Sequence, residues 1–545
     1  MTSDPISRPP RRAMTGALIG FLSVAVFLAV AELASLIGGR SSAPVLAIGE
    51  TFVDHTPLAL KEFAVRNFAT NDKLVLIAGI FVVIALVAVA VGVAAMRHAE
   101  FGTAGIVALA VIAGFTAHGR PDAGVAAPLP AVAGAVAALI AFRFLLRAAA
   151  TRGPRMSLET FAARTIAGEP EPEPAVVASA DRRRFLVASG GVAATAVVAG
   201  AVGATGSRSG AAAIASRDAV VIPVVAPTTP SATATGTATA TGPLIKPELA
   251  IPGLSPFFTP NKDFYRIDTA LSVPEIDATK WSLRIHGMVD KELRLSFADL
   301  RAMPAVENDV TLCCVSNPVG GPYISNARWT GVLLADVLAK AGVHKDATQV
   351  FSTSADGWTC GSPTSVILDG RAAMLAYGMN GEALPIPHGF PVRLVVPGLY
   401  GYVSATKWVT DIELTTMDKQ GYWMPRGWSQ LGPVKTHSRI DVPNDRKPVK
   451  AGLSPIAGVA WSQHKGIAKV EVSIDNGPWL EAKLAGEDVT DTWRQWVYDG
   501  WQATKGSHRI RVRATDKTGY VQTAEVVDVA PNGATGYHEV AVNVS

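Results

Sequence analysis

The chain reads as three regions in series: an α-helical transmembrane N-terminal region of about five spans, then a mixed α+β domain, then an all-β sandwich. Three observations predict this. Long apolar runs crowd residues 1–206. Gly- and Pro-rich loops separate short strands and helices across 249–425. Alternating strands with recurrent turn residues fill 426–545. At 545 residues the chain is too long for one core. Only 17% of residues are charged, and the mean hydropathy is +0.27. The net charge of +4 forms no basic stripe, which excludes a nucleic-acid partner.

Four apolar spans come first: Met14–Ile37, Leu74–Met96, Ala104–Ala117 and Ala126–Leu146. A crossing helix needs roughly 20 apolar residues, and only the third falls short. Arg8, Arg11 and Arg12 precede the first span, Arg97 and His98 follow the second, and Arg143, Arg147, Arg152 and Arg155 end the fourth. Cationic loops stay cytoplasmic, so the N-terminus and the loop 148–181 are expected inside. Arg182, Arg183 and Arg184 then lead a small-residue apolar run from Val187 to Ala204. Two readings stand, a fifth span or an internal twin-arginine export signal. Both take the chain out of the cytoplasm. His55, His98 and His118 lie at span ends or in loops, which favours a plain anchor over a haem-carrying bundle.

Residues 207–248 are low in complexity, with Ser231-Ala-Thr-Ala-Thr-Gly-Thr at their heart. No large apolar side chain is there to offset ordering entropy, so a flexible extracytoplasmic spacer is expected. Only Val220–Val225 is expected to add local structure.

In the next region, Trp281–Gly287 alternates as a half-buried strand, and Ser296 caps a short helix. Val310–Cys314 is a strand that delivers a thiol to a loop. Trp329–Ala341 has helical spacing and stops at Gly342. Val350–Ser354, Phe390–Pro397 and Ala405–Leu414 read as strands. The chain has three cysteines, Cys313, Cys314 and Cys360, too few for a disulfide scaffold. A pairing with Cys360 in an oxidising compartment stays open. On a strand Cys313 and Cys314 face opposite ways, so one alone can enter a given site. No Cys-x-x-Cys or His-x-x-His is present, which disfavours zinc. A single protein thiolate suits a metal whose other ligands come from an organic cofactor.

Several ordered motifs carry a resemblance. Thr311-Leu-Cys-Cys-Val-Ser-Asn matches Thr-Leu-x-Cys-x-x-Asn, and Asn326-Ala-Arg-Trp-Thr-Gly-Val follows it. Leu375-Ala-Tyr-Gly-Met-Asn-Gly-Glu-Ala-Leu-Pro, His388-Gly-Phe-Pro-Val-Arg-Leu-Val-Val-Pro-Gly and Lys407-Trp408 complete the set. From about Asp263 to Leu414 the domain resembles the sulfite oxidase family of molybdopterin enzymes. The resemblance implies a sulfite-oxidase-like molybdopterin domain whose cofactor is molybdenum on molybdopterin. It makes Cys314 the metal ligand and Cys313 the variable neighbour. It places Tyr265, Arg266, His388, Arg393 and Lys407 at the cofactor, with Ser404 and Thr406 in its phosphate-binding stretch. Asp356 matches the family's acidic residue near the pterin, although Asp356-Gly357 also reads as a plain turn. Arg266 is expected to orient the substrate. Where animal and plant relatives carry an arginine pair after the Asn, this chain has Pro318-Val-Gly-Gly. The cofactor site therefore carries over better than the substrate site.

In the last region Asp475-Asn-Gly marks a hairpin, and Trp461, Trp479, Trp493 and Trp496 are expected in the core. The resemblance implies an immunoglobulin-like dimerisation domain, hence a homodimer. Taken together, the expectation is a multi-pass protein of a bacterial cell membrane with an extracytoplasmic oxidoreductase domain. It would transfer an oxygen atom to or from a small sulfur-containing substrate and exchange electrons with a separate one-electron carrier, a cytochrome or membrane redox partner. The alternatives are a methionine sulfoxide-type reductase of the same family and a non-catalytic binding module on a membrane stalk.

Overall fold

The computed structural model describes residues 9–38, 42–57, 72–120, 125–150, 174–205, 208–225, 247–444 and 448–545, with single positions 60, 63 and 123. It divides into two compact units, Met1–Ser209 with Thr269–Ser272, and Gly210–Asp268 with Val273–Ser545.

The first unit holds α1 (Pro9–Gly38), α2 (Pro44–His55), α3 (Asp72–Ala95), α4 (Ala99–His118), α5 (Leu129–Ala150) and α6 (Pro174–Thr205). Four of these are long and apolar enough to cross a membrane: Arg12–Leu36, Lys73–Ala95, Ala99–His118 and Leu129–Ala149. The apolar part of α6, Phe185–Gly200, is shorter. The third span is longer than its apolar core suggests, because Ala99–Thr103 joins the helix. Helix α1 packs against α3, α5 and α6. Glycines permit this closeness: a Cβ on Gly20 would sit 2.1 Å from the Ala88 carbonyl oxygen, and one on Gly92 2.2 Å from that of Gly16. Small residues let helix backbones approach where lipid offers no hydrophobic drive.

The second unit begins at Gly210, within α7 (Arg208–Asp218), and continues in an extended stretch to Val225. Both lie inside the segment whose composition suggests a spacer; residues 226–246 lie outside the described residues. Next come β1 (Ser282–Gly287), β2 (Leu293–Ser296), α8 (Phe297–Arg301), β3 (Val306–Cys313), β4 (Ile324–Leu333), α9 (Leu334–Ala341), β5 (Gln349–Ser354), β6 (Thr359–Pro363), β7 (Met374–Met379), β8 (Glu382–Ala383), β9 (Arg393–Val395) and β10 (Val409–Thr415). Ser296 caps α8 as expected, its hydroxyl accepting from Asp299 N at 3.2 Å while the Asp299 carboxylate accepts from Ser296 N at 2.9 Å. One sheet runs β2-β1-β10-β5-β6, and the other runs β3-β4-β7-β8 with β9 also paired to β7.

The helix expected from Trp329 begins only at Leu334. Residues 329–333 belong to β4, where Trp329 and the β-branched Thr330 and Val332 pair with β7. Gly342 ends α9 at φ +70° as expected. Asp263–Thr269 forms turns and loop.

The remaining strands are β11 (His437–Val442), β12 (Gly452–Trp461), β13 (Ile467–Ile474), β14 (Leu480–Glu481), β15 (Lys483–Leu484), β16 (Arg494–Ala503), β17 (Gly506–Asp516) and β18 (His538–Val544). They form two four-stranded antiparallel sheets, β11-β12-β16-β15 and β14-β13-β17-β18. Trp496, Trp501, Val470 and Ile510 fill a core common to both. Asp475 and Asn476 turn the β13–β14 connection with φ of +51° and +62°, as Asp-Asn-Gly predicts. Trp479 is half-buried under Arg513 rather than in the core. Trp493 leaves the core as well: its backbone N–H donates to the Thr311 hydroxyl at 2.7 Å and its indole N–H to the Phe257 carbonyl at 2.9 Å. It therefore fastens the second pair of sheets to the cysteine strand.

Candidate functional site

Strand β3 ends at Cys313, and its last five residues are all buried. Cys314 leaves the strand half-buried at the mouth of a loop. Its N–H donates to the Tyr323 carbonyl at 3.0 Å, and its carbonyl accepts from Asn317 N at 3.1 Å. Asn317 Oδ1 accepts from Tyr323 N at 2.8 Å and closes the loop. Cys313 is 2% exposed, so alternation separates the two thiols as predicted. Burial pushes both thiols up, with hydrogen bonds from Ser316 acting against it at Cys314. Bound metal charge is what deprotonates such a thiol.

Tyr265 joins this thiol to a cationic cluster. Burial raises its phenol well above the usual range; the two cysteines raise it further and Arg393 opposes them. Arg393, at the start of β9, is 5% exposed. Its guanidinium donates to the His388 carbonyl at 3.0 Å and stacks 4.9 Å over the Trp329 ring. Among the described residues no carboxylate lies within ion-pair distance of it. Burial lowers its pKa to about 10. His388 is also buried; its Nε2 donates to the Asn261 carbonyl at 2.9 Å, and its ring meets Phe264 edge-on at 5.5 Å. Burial, then the nearby Arg393, lowers His388 to about 4, so the imidazole is neutral at physiological pH. Lys407 is lowered to about 8 by burial, although its ammonium donates to Asp268 at 2.5 Å. Arg266 binds the same carboxylate at 2.8 Å. Lys407 and Arg266 therefore share one carboxylate, while Arg393 has none in ion-pair range among the described residues.

The backbone is drawn tight here. Trp408 has φ +51°, a left-handed conformation costly for a large side chain, and its indole donates to the Ile386 carbonyl at 2.9 Å. Gly389 sits at φ +117°, and a Cβ on it would press within 3.0 Å of Arg393 Cβ and 3.1 Å of Lys407 Cβ.

Tyr265, Arg266, Cys314, His388, Arg393 and Lys407 thus converge. Asp356 sits in the β5–β6 turn, its carboxylate accepting from Trp358 N at 3.1 Å, while Ala355 N donates to the Trp408 carbonyl at 2.9 Å. The turn is therefore laid against the Lys407 segment. The hydroxyls of Ser404 and Thr406 point into the fold: Ser404 donates to the Tyr400 carbonyl at 3.0 Å, and Thr406 sits 2.7 Å from the Ser352 hydroxyl and 3.1 Å from Cys360. Asn261, which holds His388, carried no signal in the sequence beyond a Pro-Asn turn.

Residues 270–423 match the family described as oxidoreductase molybdopterin binding domain. The chain is 38% identical over 164 residues to the uncharacterized oxidoreductase YuiH of Bacillus subtilis, covering 30% of this chain and 80% of that one. The chain belongs to the sulfite oxidase family of molybdopterin-dependent oxidoreductases. It is 32% identical over 289 residues to the mitochondrial sulfite oxidase of Homo sapiens, covering 45% of this chain and 52% of that one. It thus spans about half the length of the curated sulfite oxidases it matches. The crystal structure of the sulfane dehydrogenase SoxCD from Paracoccus pantotrophus aligns with a TM-score of 0.47 at 24% identity, over 59% of this chain and 96% of that one. The family's cofactor is molybdenum on molybdopterin, and the residues present fit it. A buried guanidinium without a carboxylate demands an anion, as a pterin phosphate supplies, and the thiol at the other end is a soft metal ligand.

Proposed function

We propose that the protein is a membrane-anchored oxidoreductase that moves an oxygen atom to or from a small sulfur-containing substrate. When bound, the molybdenum group supplies the two-electron chemistry. Cys314 is the protein's thiolate ligand to it. Arg393 and Lys407 hold the anionic end of the pterin, and Arg266 orients a polar or anionic substrate. His388, neutral and pinned by Asn261, offers hydrogen bonds without adding charge. Tyr265 separates the thiol from the cations and limits water between them. Electrons leave or arrive singly through a separate cytochrome or membrane redox partner. About five spans anchor the chain, with the oxidoreductase domain on the extracytoplasmic face of a bacterial cell membrane. The two C-terminal sheets form an immunoglobulin-like domain suited to pairing two chains.

The observation that carries this reading is the buried Arg393, with no carboxylate in ion-pair range among the described residues, held in the same electrostatic neighbourhood of Tyr265 as Cys314. Metal analysis of the full chain from cofactor-making cells tests it. Near one molybdenum per chain, lost in Cys314→Ser, is the expected result; an equal content in that variant would remove the ligand assignment, and none in the parent would favour a binding module. The second reading, sulfoxide reduction, draws on the loop after Cys314. Arg439 of β11 donates there to the Gly321 carbonyl at 2.9 Å but is also bound to Asp441 at 2.7 Å, so no arginine of the loop itself awaits an anion. Sulfite-dependent acceptor reduction set against sulfoxide-dependent donor oxidation separates the two.

A further inference from the structure

Helix α7 and the stretch after it lie in the first part of the low-complexity segment 207–248, yet they are fastened to the oxidoreductase domain at several points. Ala213 is fully buried. The Ser216 hydroxyl accepts from Ala278 N at 3.1 Å. Arg301 of α8 donates to the Val221 carbonyl at 2.8 Å, and Ile222 Cδ1 lies where it would be 3.0 Å from a Cβ on Gly378 in β7. The strongest fastening is Arg217. Its guanidinium donates to the carbonyls of Ala383 at 2.8 Å and Leu384 at 3.1 Å, and lies 3.5 Å from the Glu382 carboxylate.

Those three acceptors open the Glu382–His388 segment, which runs through two prolines into the site. Glu382 accepts from Asn261 Nδ2 at 2.5 Å. Asn380 ties the same asparagine at 2.8 Å. The Asn261 carbonyl then accepts from His388 at 2.9 Å. A run of contacts thus leads from Arg217 by an ion pair to Glu382, then by hydrogen bonds through Asn261 to the histidine beside Arg393. The chain supplies a second link, four residues from Leu384 to His388.

We propose that Gly210–Val225 is a strap that forms part of the cofactor site's support, with Arg217 as the positioning residue that sets His388. The inference rests on the reading that His388 faces the cofactor.

The test uses the full chain and two readouts, molybdenum per chain and amide hydrogen exchange across residues 383–389. Removing a charged donor from buried carbonyls opens them locally, so Arg217→Met is expected to speed exchange there about tenfold or more. Molybdenum content should fall at least about threefold, with global unfolding little changed. Arg217→Lys keeps a charged donor and should restore most of both. If Arg217→Met does not accumulate, Arg217→Gln carries the same comparison against Arg217→Lys. Parental molybdenum and parental exchange at 383–389 in the Met or Gln variant would overturn the proposal. So would an equal rise in exchange through every strand from β1 to β10, which marks a merely structural role. A parent chain without molybdenum sinks the cofactor reading instead, and the exchange arm still reports on the strap.

Discussion

The thiol side and the cationic side of the site are built in opposite ways. At the thiol end one strand delivers the functional atom, and the loop beyond is tied by its own backbone and by the second pair of sheets. Gly320, at φ +74°, leaves no room for a Cβ beside the His538 ring, and Arg439 takes the Gly321 carbonyl. At the cationic end no single element suffices. His388, Arg393 and Lys407 come from separate loops and strands, and a left-handed Trp408 holds them together. The thiol end is a point fixed by alternation; the cationic end is a charge balance awaiting an anion. The first should fail all at once when its atom is changed, and the second by degrees.

Cys314→Ser is the sharpest test of that difference. Turnover is expected to fall at least ~100-fold, beyond what outer-shell changes at metal sites cost, while circular dichroism and melting temperature stay near the parent's. Steady-state rates with an artificial electron acceptor read it, and a rate within tenfold of the parent would sink the assignment. At the other end, Arg393→Met should keep the fold and lower cofactor retention ~10-fold to 100-fold, measured as molybdenum per chain after dialysis. Unchanged retention would mean that the buried guanidinium answers to the protein and not to a ligand.

His388 carries a pH signature. Its folded pKa of about 4 lies below the ordinary 6.5, so the unfolded chain binds the extra proton between those values. Stability therefore rises with pH across this window and is lost as pH falls through it, by ~3 kcal/mol at most. Denaturant midpoints of the cofactor-free chain at a series of pH values should show the slope, and His388→Asn should flatten it. With cofactor bound, the anion beside Arg393 favours the protonated ring and should shrink the slope. A slope of the same size in both states would place the anion elsewhere.

How much of this was legible in sequence follows the same division. Strand alternation around Cys313 and Cys314 is a local rule, and it separated the thiols directly. The spans, the Ser296 cap, the Gly342 stop and the Asp475-Asn-Gly hairpin are equally local. Convergence of Tyr265, His388, Arg393 and Lys407 has no periodicity, so only a resemblance could gather them. Three features stayed hidden because long-range partners decide them. Trp329–Leu333 has helical spacing but is claimed by β7. Trp493 alternates like a core residue but is claimed by Thr311 and Phe257. Arg208–Asp218 lies within the low-complexity segment, and nothing in its composition reveals that Leu384 and Ala383 await its arginine.

The smallest effect belongs to Cys313, and it completes the comparison. This thiol is buried, sits beside Asn317 and lies near Arg439. Replacing it with alanine removes one buried sulfur and leaves a small void, which should cost ~1 kcal/mol. Molybdenum content and turnover should stay within about twofold of the parent, because surrounding contacts and not this atom set the loop. Denaturant midpoints and metal analysis on the same preparation check both halves. The reverse result, with metal lost from Cys313→Ala and kept in Cys314→Ser, would exchange the two cysteines. It would require β3 to run one residue further before the loop begins, because a one-residue slip turns every side chain to the other face.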